Sequence, residues 1–310
     1  MTDKLRIIFM GTPDFAAASL KRLHEAGKNI VAVVTAPDKP AGRGMKLQPS
    51  AVKEYAVQNG LVVLQPEKLK APEFLEPLSA LKPDLGIVVA FRMLPEAVWS
   101  MPPRGTFNLH ASLLPDYRGA APIHWAVING ESETGVTTFF LKHEIDTGDI
   151  IHQEKTPIGE YETTGELYER LMAIGAELVE KTVDAIEANS ITTQPQPDVA
   201  QPKHAPKIFK ETARIDWNRD PFEVHNFIRG MSPFPGAWTH DDKNQIVKIY
   251  RTDYERIHHK LEPGNTLMQD DILKIACVGG FVLAKELQSQ GRKKLPVAEW
   301  LRGNTVARFS

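Results

Sequence analysis

The sequence predicts an α/β protein in which a doubly wound, mostly parallel sheet is followed by a small β-barrel domain. Three observations lead to this prediction. Apolar runs alternate with helical segments over residues 1–190, at about thirty residues per unit, which is typical of parallel sheets. A polar, proline-rich stretch then interrupts the pattern. Short strand-like runs separated by turns follow that stretch, as expected for a barrel.

The first domain is predicted to contain seven strands. Most of the early ones are near-continuous apolar runs, which indicates burial on both faces and therefore a parallel sheet. The predicted strands are Leu5–Met10, Ile30–Thr35, Leu61–Leu64, Leu85–Ala90, Thr106–Leu109, Gly135–Leu141 and Ile150–Ile158.

Helices are predicted between these strands. Asp14 and Ser50 are suited to cap the helices that follow the first two strands. A short helix is expected around Pro72–Ala80. Thr164–Ala188 repeats apolar residues at helical spacing, so we expect a long amphipathic helix that closes the domain.

The second half of the chain has a different pattern. We predict a catalytic domain over residues 1–190, an extended linker over 191–206 and a barrel domain over 207–310. Four prolines make the linker unsuitable for helix or strand. The barrel strands are expected at Gln245–Arg251, Asp271–Val278 and Phe281–Leu287, with one helix at Phe222–Arg229.

Composition excludes several classes of protein. The chain has one cysteine, Cys277, so neither a disulfide framework nor a zinc box is expected, which fits a reducing cytoplasm. No stretch approaches the roughly 18 apolar residues of a membrane span, and the N-terminus does not resemble a signal peptide. Residues 207–310 carry 17 Lys and Arg against 13 Asp and Glu, which weakly favours a polyanionic partner for this domain.

Three polar residues near predicted strand ends suggest acyl transfer to an amine. Asn108 and His110 lie two apart on one side of a strand, and Asp146 follows the next apolar run. An amide and a protonated imidazole can stabilise an oxyanion, and an imidazole can take a proton from the amine. A carboxylate can orient that imidazole and raise its pKa. Taken singly, each residue is better explained as a strand-end or turn residue, and only the three together favour catalysis.

The segment NLHASLLPDYRGAAPIHWAVINGESETGVT, followed by HEIDTGDI, closely resembles the folate-dependent formyltransferases. FMGTPDFA, TAPDKPAGRG, the proline-rich linker and KIFKETARIDW extend the resemblance over nearly the whole chain. It implies a Rossmann-like formyltransferase domain, an OB-like barrel, and formyl transfer from 10-formyltetrahydrofolate to the α-amino group of methionyl initiator tRNA.

The resemblance also implies roles for individual residues. The family's catalytic residues fall on Asn108, His110 and Asp146. Two departures concern Ala111, where the family commonly has glycine, and the loop after Ala90, which is about one residue shorter than usual. The implied folate-contacting residues are Ser112, Leu113, Leu114 and Pro115, with Val88, Val89, Ala90 and Phe91 in the pocket wall.

Basic residues are candidates for contacts with nucleic acid. Ala36–Pro49 is predicted to be an unpacked loop, and the resemblance assigns it to the tRNA acceptor end, with Arg43 favoured over Lys39 and Lys46. Lys207 and Lys210 could line an RNA-facing surface, where they would contact phosphate without reading sequence. For each of these segments the alternative is an ordinary solvated surface.

Three rival functions fit the sequence less well. A sugar-nucleotide N-formyltransferase would use the same core, but the basic loop and KIFKETARIDW argue against it. A catalytically inactive tRNA-binding relative is disfavoured because Asn108, His110 and Asp146 are all present. A nicotinamide dehydrogenase is excluded because the dinucleotide fingerprint is missing. We expect a cytoplasmic monomer with no metal.

Overall fold

The structure is a computed structural model that describes residues 4–41 and 46–310. The chain divides into two compact units. Unit 1 comprises Met1–Arg118, Gly135–Lys155 and Arg170–Lys203, and unit 2 comprises Gly119–Thr134, Thr156–Glu169 and His204–Ser310. Two segments from within the predicted catalytic domain of residues 1–190 thus belong to unit 2, and the predicted domain bounds at 190 and 207 remain predictions.

Unit 1 is built on a seven-stranded sheet, which confirms the predicted α/β class. Its strand order is β10-β9-β7-β6-β1-β2-β5. The pairings of β1 with β2 and β6, of β2 with β5 and of β6 with β7 are parallel, whereas β7 pairs antiparallel with β9. The strands are β1 (Ile7–Gly11), β2 (Ile30–Val34), β5 (Val63–Leu64), β6 (Leu85–Val89), β7 (Thr106–His110), β9 (Glu133–Phe140) and β10 (Ile150–Pro157).

The apolar runs explain this sheet. Every residue of β1 and β6 is buried, as expected for strands covered on both faces. One face packs Ile8, Met10 and Val88 against Phe74 and Leu78 of a helix. The helices of the first 190 residues are α1 (Asp14–Glu25), α2 (Ala51–Gln58), α3 (Pro72–Ala80), α4 (Glu96–Trp99), α5 (Pro122–Ile128) and α6 (Thr164–Glu187).

Helix starts agree in part with the caps expected from sequence. The Ser50 side chain accepts a hydrogen bond from the Lys53 amide at 3.1 Å, as predicted for an N-cap. Asp14 instead occupies the first turn of α1, and Pro13 is the cap residue. Thr163 and Glu166 form a reciprocal capping box at the start of α6, with the Thr163 amide 2.8 Å from the Glu166 carboxylate.

The basic segment after β2 is not wholly a loop, contrary to prediction. Two short strands, β3 (Lys39–Ala41) and β4 (Lys46–Gln48), pair antiparallel. At their base, the Asp38 carboxylate lies 2.6 Å from Lys53 Nζ. Composition suggested a loop because proline and glycine are common here, but antiparallel backbone pairing stabilises the two short strands.

Unit 2 carries the antiparallel sheet, in the order β12-β13-β16-β15-β14, with β17 paired to β16. Its core contains Ile228, Ile249, Val282, Trp300 and Phe309. The antiparallel strands agree with the predicted β domain, and closure into a barrel remains a prediction. The elements are α7 (Pro221–Gly230), β12 (Ala237–His240), β13 (Ile246–Glu255), β14 (Thr266–Gln269), β15 (Ile272–Cys277), β16 (Gly280–Ser289), β17 (Leu295–Pro296) and α8 (Val297–Leu301), with a 3₁₀ turn at Glu211–Ala213.

The proline-rich segment is more ordered than an extended linker. Gln194 forms an antiparallel bridge with Ile150, and His204–Ala205 forms the two-residue strand β11, while Arg118–Gly119 forms β8. The prolines prevent long strands but allow single backbone pairings. Within residues 4–41 and 46–310, none of the helices is long and apolar enough to cross a membrane.

Candidate active site

The end of β7 presents Asn108 and His110. In the sheet register, Asn108 lies beside Val88 of β6, and His110 lies beside Thr137 of β9. Because side chains alternate along a strand, Asn108 and His110 share one face of the sheet and Leu109 occupies the other. This arrangement is the one predicted from their spacing.

The structure brings Asp146 to His110. The Nδ1 atom of His110 lies 3.9 Å from Oδ2 of Asp146, and the two side chains are only 7% and 13% exposed. Asp146 has φ = +55°, in the left-handed region. Aspartate tolerates this region better than most residues do, so the turn after β9 can direct its carboxylate toward the imidazole.

The other ring nitrogen of His110, Nε2, is engaged in a hydrogen bond with the backbone. Nε2 lies 2.8 Å from the carbonyl oxygen of Tyr117. A carbonyl oxygen can only accept a hydrogen bond, so Nε2 must carry the hydrogen in that contact. In the neutral ring, the unprotonated nitrogen is therefore Nδ1, the atom that faces Asp146.

The Asn108 amide is available for an incoming group. Its side chain is half-buried, and among the described residues no hydrogen bond to that side chain is recorded. An amide nitrogen at a strand end, not engaged by the protein, can donate to a developing oxyanion.

The turn after β7 is held in place by side-chain hydrogen bonds. The buried Ser112 hydroxyl donates to the Asp116 carbonyl at 2.6 Å. The Thr137 hydroxyl donates to the Ser112 carbonyl at 2.7 Å, and the Gln153 amide donates to the Leu114 carbonyl at 3.0 Å. Leu114 is buried, whereas Leu113 and Pro115 are half-buried. The predicted folate-contacting turn is thus a rigid part of unit 1.

The predicted pocket wall separates into two faces. Val88 lies beside Asn108 and Val89 lies beside Leu109, so the two valine side chains lie on opposite faces of the sheet. Phe91 packs on the cluster that includes Val88. Of the predicted wall residues, Val88 and Phe91 are therefore on the face of Asn108. A ligand contact from Val89 remains a prediction that its side-chain direction does not favour.

The basic residues fall at separate places. Lys39 is exposed in β3, Lys46 begins β4, and Arg43 lies outside the described residues. Lys207 and Lys210 are exposed in unit 2. They line a groove of about 780 Å³ that lies entirely within residues of that unit.

Sequence reasoning missed the residues that support the site. Thr137 lies on β9 and Gln153 lies on β10, and neither belongs to a recognisable sequence motif. Tyr117 contacts His110 through its backbone carbonyl, which the sequence does not indicate. Gln196 lies in the proline-rich segment and hydrogen-bonds to the Asp146 turn. A glutamine among prolines gives no signal of such a contact. In the part of the chain that the structure describes, no group of three or more His, Cys, Asp or Glu residues could hold a metal ion.

Comparisons with known proteins identify the family of this chain. Family models described as formyl transferase and as formyl transferase, C-terminal domain, match residues 4–183 and 207–305. A methionyl-tRNA formyltransferase from Bacteroides fragilis is 52% identical over 309 residues, covering 97% of this chain and 95% of the relative. One from Phocaeicola vulgatus is 54% identical over 311 residues, covering 96% and 95%.

Solved structures show the same fold. The crystal structure of WlaRD, a sugar 3N-formyl transferase in the presence of dTDP and 5-N-formyl-THF, has a TM-score of 0.67 at 20% identity. It covers 93% of this chain and 99% of its own. Since the two family models together match most of the sequence and the full-length relatives are about half identical, the chain belongs to the formyl transferase family.

Proposed function

We propose that this protein transfers the formyl group of 10-formyltetrahydrofolate to the α-amino group of methionyl initiator tRNA. The observation that carries the proposal is the match to methionyl-tRNA formyltransferases at about half identity over 97% of the chain. That match includes the second family domain, over residues 207–305. The contact of His110 with Asp146 beside Asn108 supplies a chemical basis for the reaction.

We assign to Nδ1 of His110 the transfer of the proton that leaves the attacking amine. The amine nitrogen attacks the formyl carbon, and a bond forms between them while the carbon–oxygen double bond becomes an oxyanion. The nitrogen then loses a proton, and the folate nitrogen gains one as its bond to the formyl carbon breaks. Because Nε2 is engaged with Tyr117, Nδ1 is the ring atom that can carry this proton. Asp146, 3.9 Å away, would stabilise the resulting imidazolium.

We assign stabilisation of the oxyanion to the side-chain amide of Asn108. His110 is the other candidate donor to the oxyanion, but its Nε2–H already donates to the Tyr117 carbonyl. The Asn108 side chain makes no hydrogen bond within the described residues. One such donor typically contributes a factor of about 10² to 10³ in kcat. This division gives each of the two β7 side chains a separate task.

We assign folate binding to the turn after β7. Hydrogen bonds from Ser112, Thr137 and Gln153 hold this turn, so a pterin can bind against it without reorganising it. Leu113 and Pro115 are half-buried beside it, and Leu114 is buried. Phe91 is half-buried on the Asn108 face of the sheet and supplies apolar wall.

We assign tRNA binding to basic residues in both units. Lys39, Arg43 and Lys46 belong to the basic sequence segment Ala36–Pro49, and Lys207 and Lys210 belong to the groove in unit 2. Phe209 and Phe234 in this groove are 54% and 79% exposed. Exposed aromatic rings beside lysines suit single-stranded RNA, because bases stack on rings while ammonium groups meet phosphates.

We further propose that the enzyme works as a monomer in the cytoplasm. Its one cysteine, Cys277, is buried, which fits a reducing compartment where no disulfide is required. Light scattering of the purified protein tests the oligomeric state. A stable dimer at micromolar concentration would contradict this part of the proposal.

The decisive experiment is transfer of radiolabelled formyl from 10-formyltetrahydrofolate. Methionyl initiator tRNA, free methionine and an aminosugar nucleotide compete as acceptors in one reaction. Label on the tRNA alone is the expected result. Label on the sugar would retain the chemistry and overturn the acceptor. Folate binding without transfer to any acceptor would favour an inactive RNA-binding relative.

A further inference from the structure

Gln196 lies in the proline-rich segment of unit 1 and contacts the turn that carries Asp146. Its Nε2 atom donates two hydrogen bonds, to the Asp146 carbonyl at 2.8 Å and to the Gly148 carbonyl at 2.9 Å. Both amide hydrogens are thus used on one short turn. This pattern restrains the backbone on each side of Thr147.

The other end of the same amide is held by Arg118. The Oε1 atom of Gln196 accepts from Nη2 of Arg118 at 2.5 Å and from Nε at 3.2 Å. Arg118 directly follows Tyr117, whose carbonyl accepts the hydrogen bond from His110. One glutamine therefore connects the turn that bears the carboxylate to the turn that orients the imidazole.

The Asp146 turn needs such support because of its backbone. Asp146 has φ = +55°, a conformation that residues with a side chain rarely adopt. Such conformations persist where surrounding contacts stabilise them. The two bonds from Gln196 are contacts of that kind, and they act on Asp146 itself and on the residue two positions later.

The segment around Gln196 is fixed at both ends. The backbone of Gln194 exchanges two hydrogen bonds with Ile150, at 2.8 and 2.9 Å. Farther along, the Lys203 carbonyl accepts from the Tyr117 amide at 2.7 Å, and the Lys203 amide donates to the Asp116 carboxylate at 3.1 Å. The stretch from Gln194 to Lys203 is therefore anchored at one end to the start of β10, just after the Asp146 turn, and at the other end to the turn that bears Tyr117.

We propose that Gln196 is a positioning residue for formyl transfer, which holds the Asp146 carboxylate at His110 through the backbone of the Asp146 turn. The inference rests on the proposed function, because it assigns Gln196 to the reaction of that site. Gln196 touches neither reacting atom. Its effect reaches the chemistry through the distance between the carboxylate and Nδ1.

The test compares two substitutions that remove different parts of the amide. Gln196→Met keeps the length of the side chain and loses all polar contacts. Gln196→Glu keeps the acceptor for Arg118 and loses both donated bonds. Gln194→Ala is the matched control, because Gln194 is exposed and its bonds to Ile150 are made by backbone. For each protein, kcat and both KM values are measured together with the melting temperature.

Both Gln196 variants should lose roughly 10- to 100-fold in kcat, as expected for misplaced catalytic groups, while both KM values stay within about twofold. Gln194→Ala should behave as wild type. A Gln196→Glu variant with wild-type kcat would overturn the proposal, since the donated bonds would then be dispensable. A lowered melting temperature with unchanged kcat would overturn it as well.

Hydrogen exchange separates this inference from the proposed function. The Gln196→Met substitution should accelerate amide exchange in a peptide spanning residues 144–150, whether or not the wild-type protein formylates tRNA. Wild-type protein without turnover would remove the proposed function, and faster exchange would still support the restraint. Unchanged exchange in this peptide would contradict the restraint even in an active enzyme.

Discussion

Nε2 of His110 donates a hydrogen bond to the carbonyl oxygen of Tyr117 over 2.8 Å. This contact fixes the plane of the ring and leaves Nδ1 facing Asp146. The tautomer of the neutral imidazole is set by a backbone oxygen, because the carbonyl can only accept. The proton that the reaction moves must then use Nδ1, and the predictions about catalysis depend on this assignment.

His110→Ala should remove turnover while folate binding survives. A general base or acid contributes about 10² to 10⁴ in rate, and the bound folate is assigned to the neighbouring turn. Single-turnover kinetics and fluorescence titration with folate measure the two effects separately. Normal turnover in this variant would remove His110 from the mechanism.

Asp146→Asn should lower kcat by about 10² to 10⁴ with little loss of stability. Asparagine matches the shape of aspartate and also tolerates positive φ, so the turn at φ = +55° should persist. The substitution removes only the charge beside Nδ1. Thermal unfolding is the control, and an unchanged kcat would mean that the carboxylate is structural.

Lys207→Ala should weaken tRNA binding and leave folate affinity unchanged. Loss of one phosphate contact should reduce the slope of log K against log salt by about one. Lys243→Ala is the matched control, because Lys243 is an exposed lysine outside the groove.

Arg43→Ala should likewise weaken the tRNA step alone. Equal losses of tRNA and folate binding in the Lys207 variant or the Arg43 variant would indicate a structural role for that residue.

Glu166→Gln should lower stability near neutral pH and have little effect near pH 2. Partial burial opposes ionisation of this carboxyl, but hydrogen bonds from Arg251 and Thr163 prevail and lower its pKa to about 2, from an ordinary 4.5. The contribution is therefore present above about pH 4.5 and is lost as pH falls toward 2.

The size of this effect is modest because the Glu166 side chain is 46% exposed. After allowance for solvent screening we expect about 1 kcal/mol at pH 7. Urea unfolding at several pH values measures it, with Glu169→Gln as a control at an exposed position of the same helix. A destabilisation of equal size at pH 2 and pH 7 would exclude the ionic explanation.

Cys277 should resist thiol reagents in the folded protein. Burial raises the pKa of its thiol to about 12, so little thiolate exists at pH 8. A chromogenic disulfide should titrate no thiol in the native protein and one per chain in urea, since the sequence has one cysteine. Rapid reaction of the native protein would show that unit 2 opens readily.

Regular elements were largely predictable because local patterns determine them. The buried runs of β1 and β6, the Ser50 cap and the amphipathic α6 follow from apolar spacing and capping chemistry within a few residues. The hairpin of β3 and β4 was missed, because pairing of two short strands depends on the partner and not on composition.

The site was predictable as a set of residues and not as an arrangement. Asn108 and His110 share a face because strands have a period of two, and the motif with Asp146 identified the family. The distance between His110 and Asp146 could not be obtained this way, because it depends on how two loops fold. The same holds for the direction of Val89, which only the register with Leu109 defines.

The sequence by itself determined which groups are present: an amide, an imidazole and a carboxylate near strand ends, on an α/β sheet of the formyl transferase family. Only the tertiary structure decided which imidazole nitrogen is free, because the Tyr117 carbonyl reaches Nε2 through a turn. It also brought Gln196 from the proline-rich segment onto the Asp146 turn. The Gln196 contact joins residues 50 positions apart, and local patterns along the chain carry no information about it.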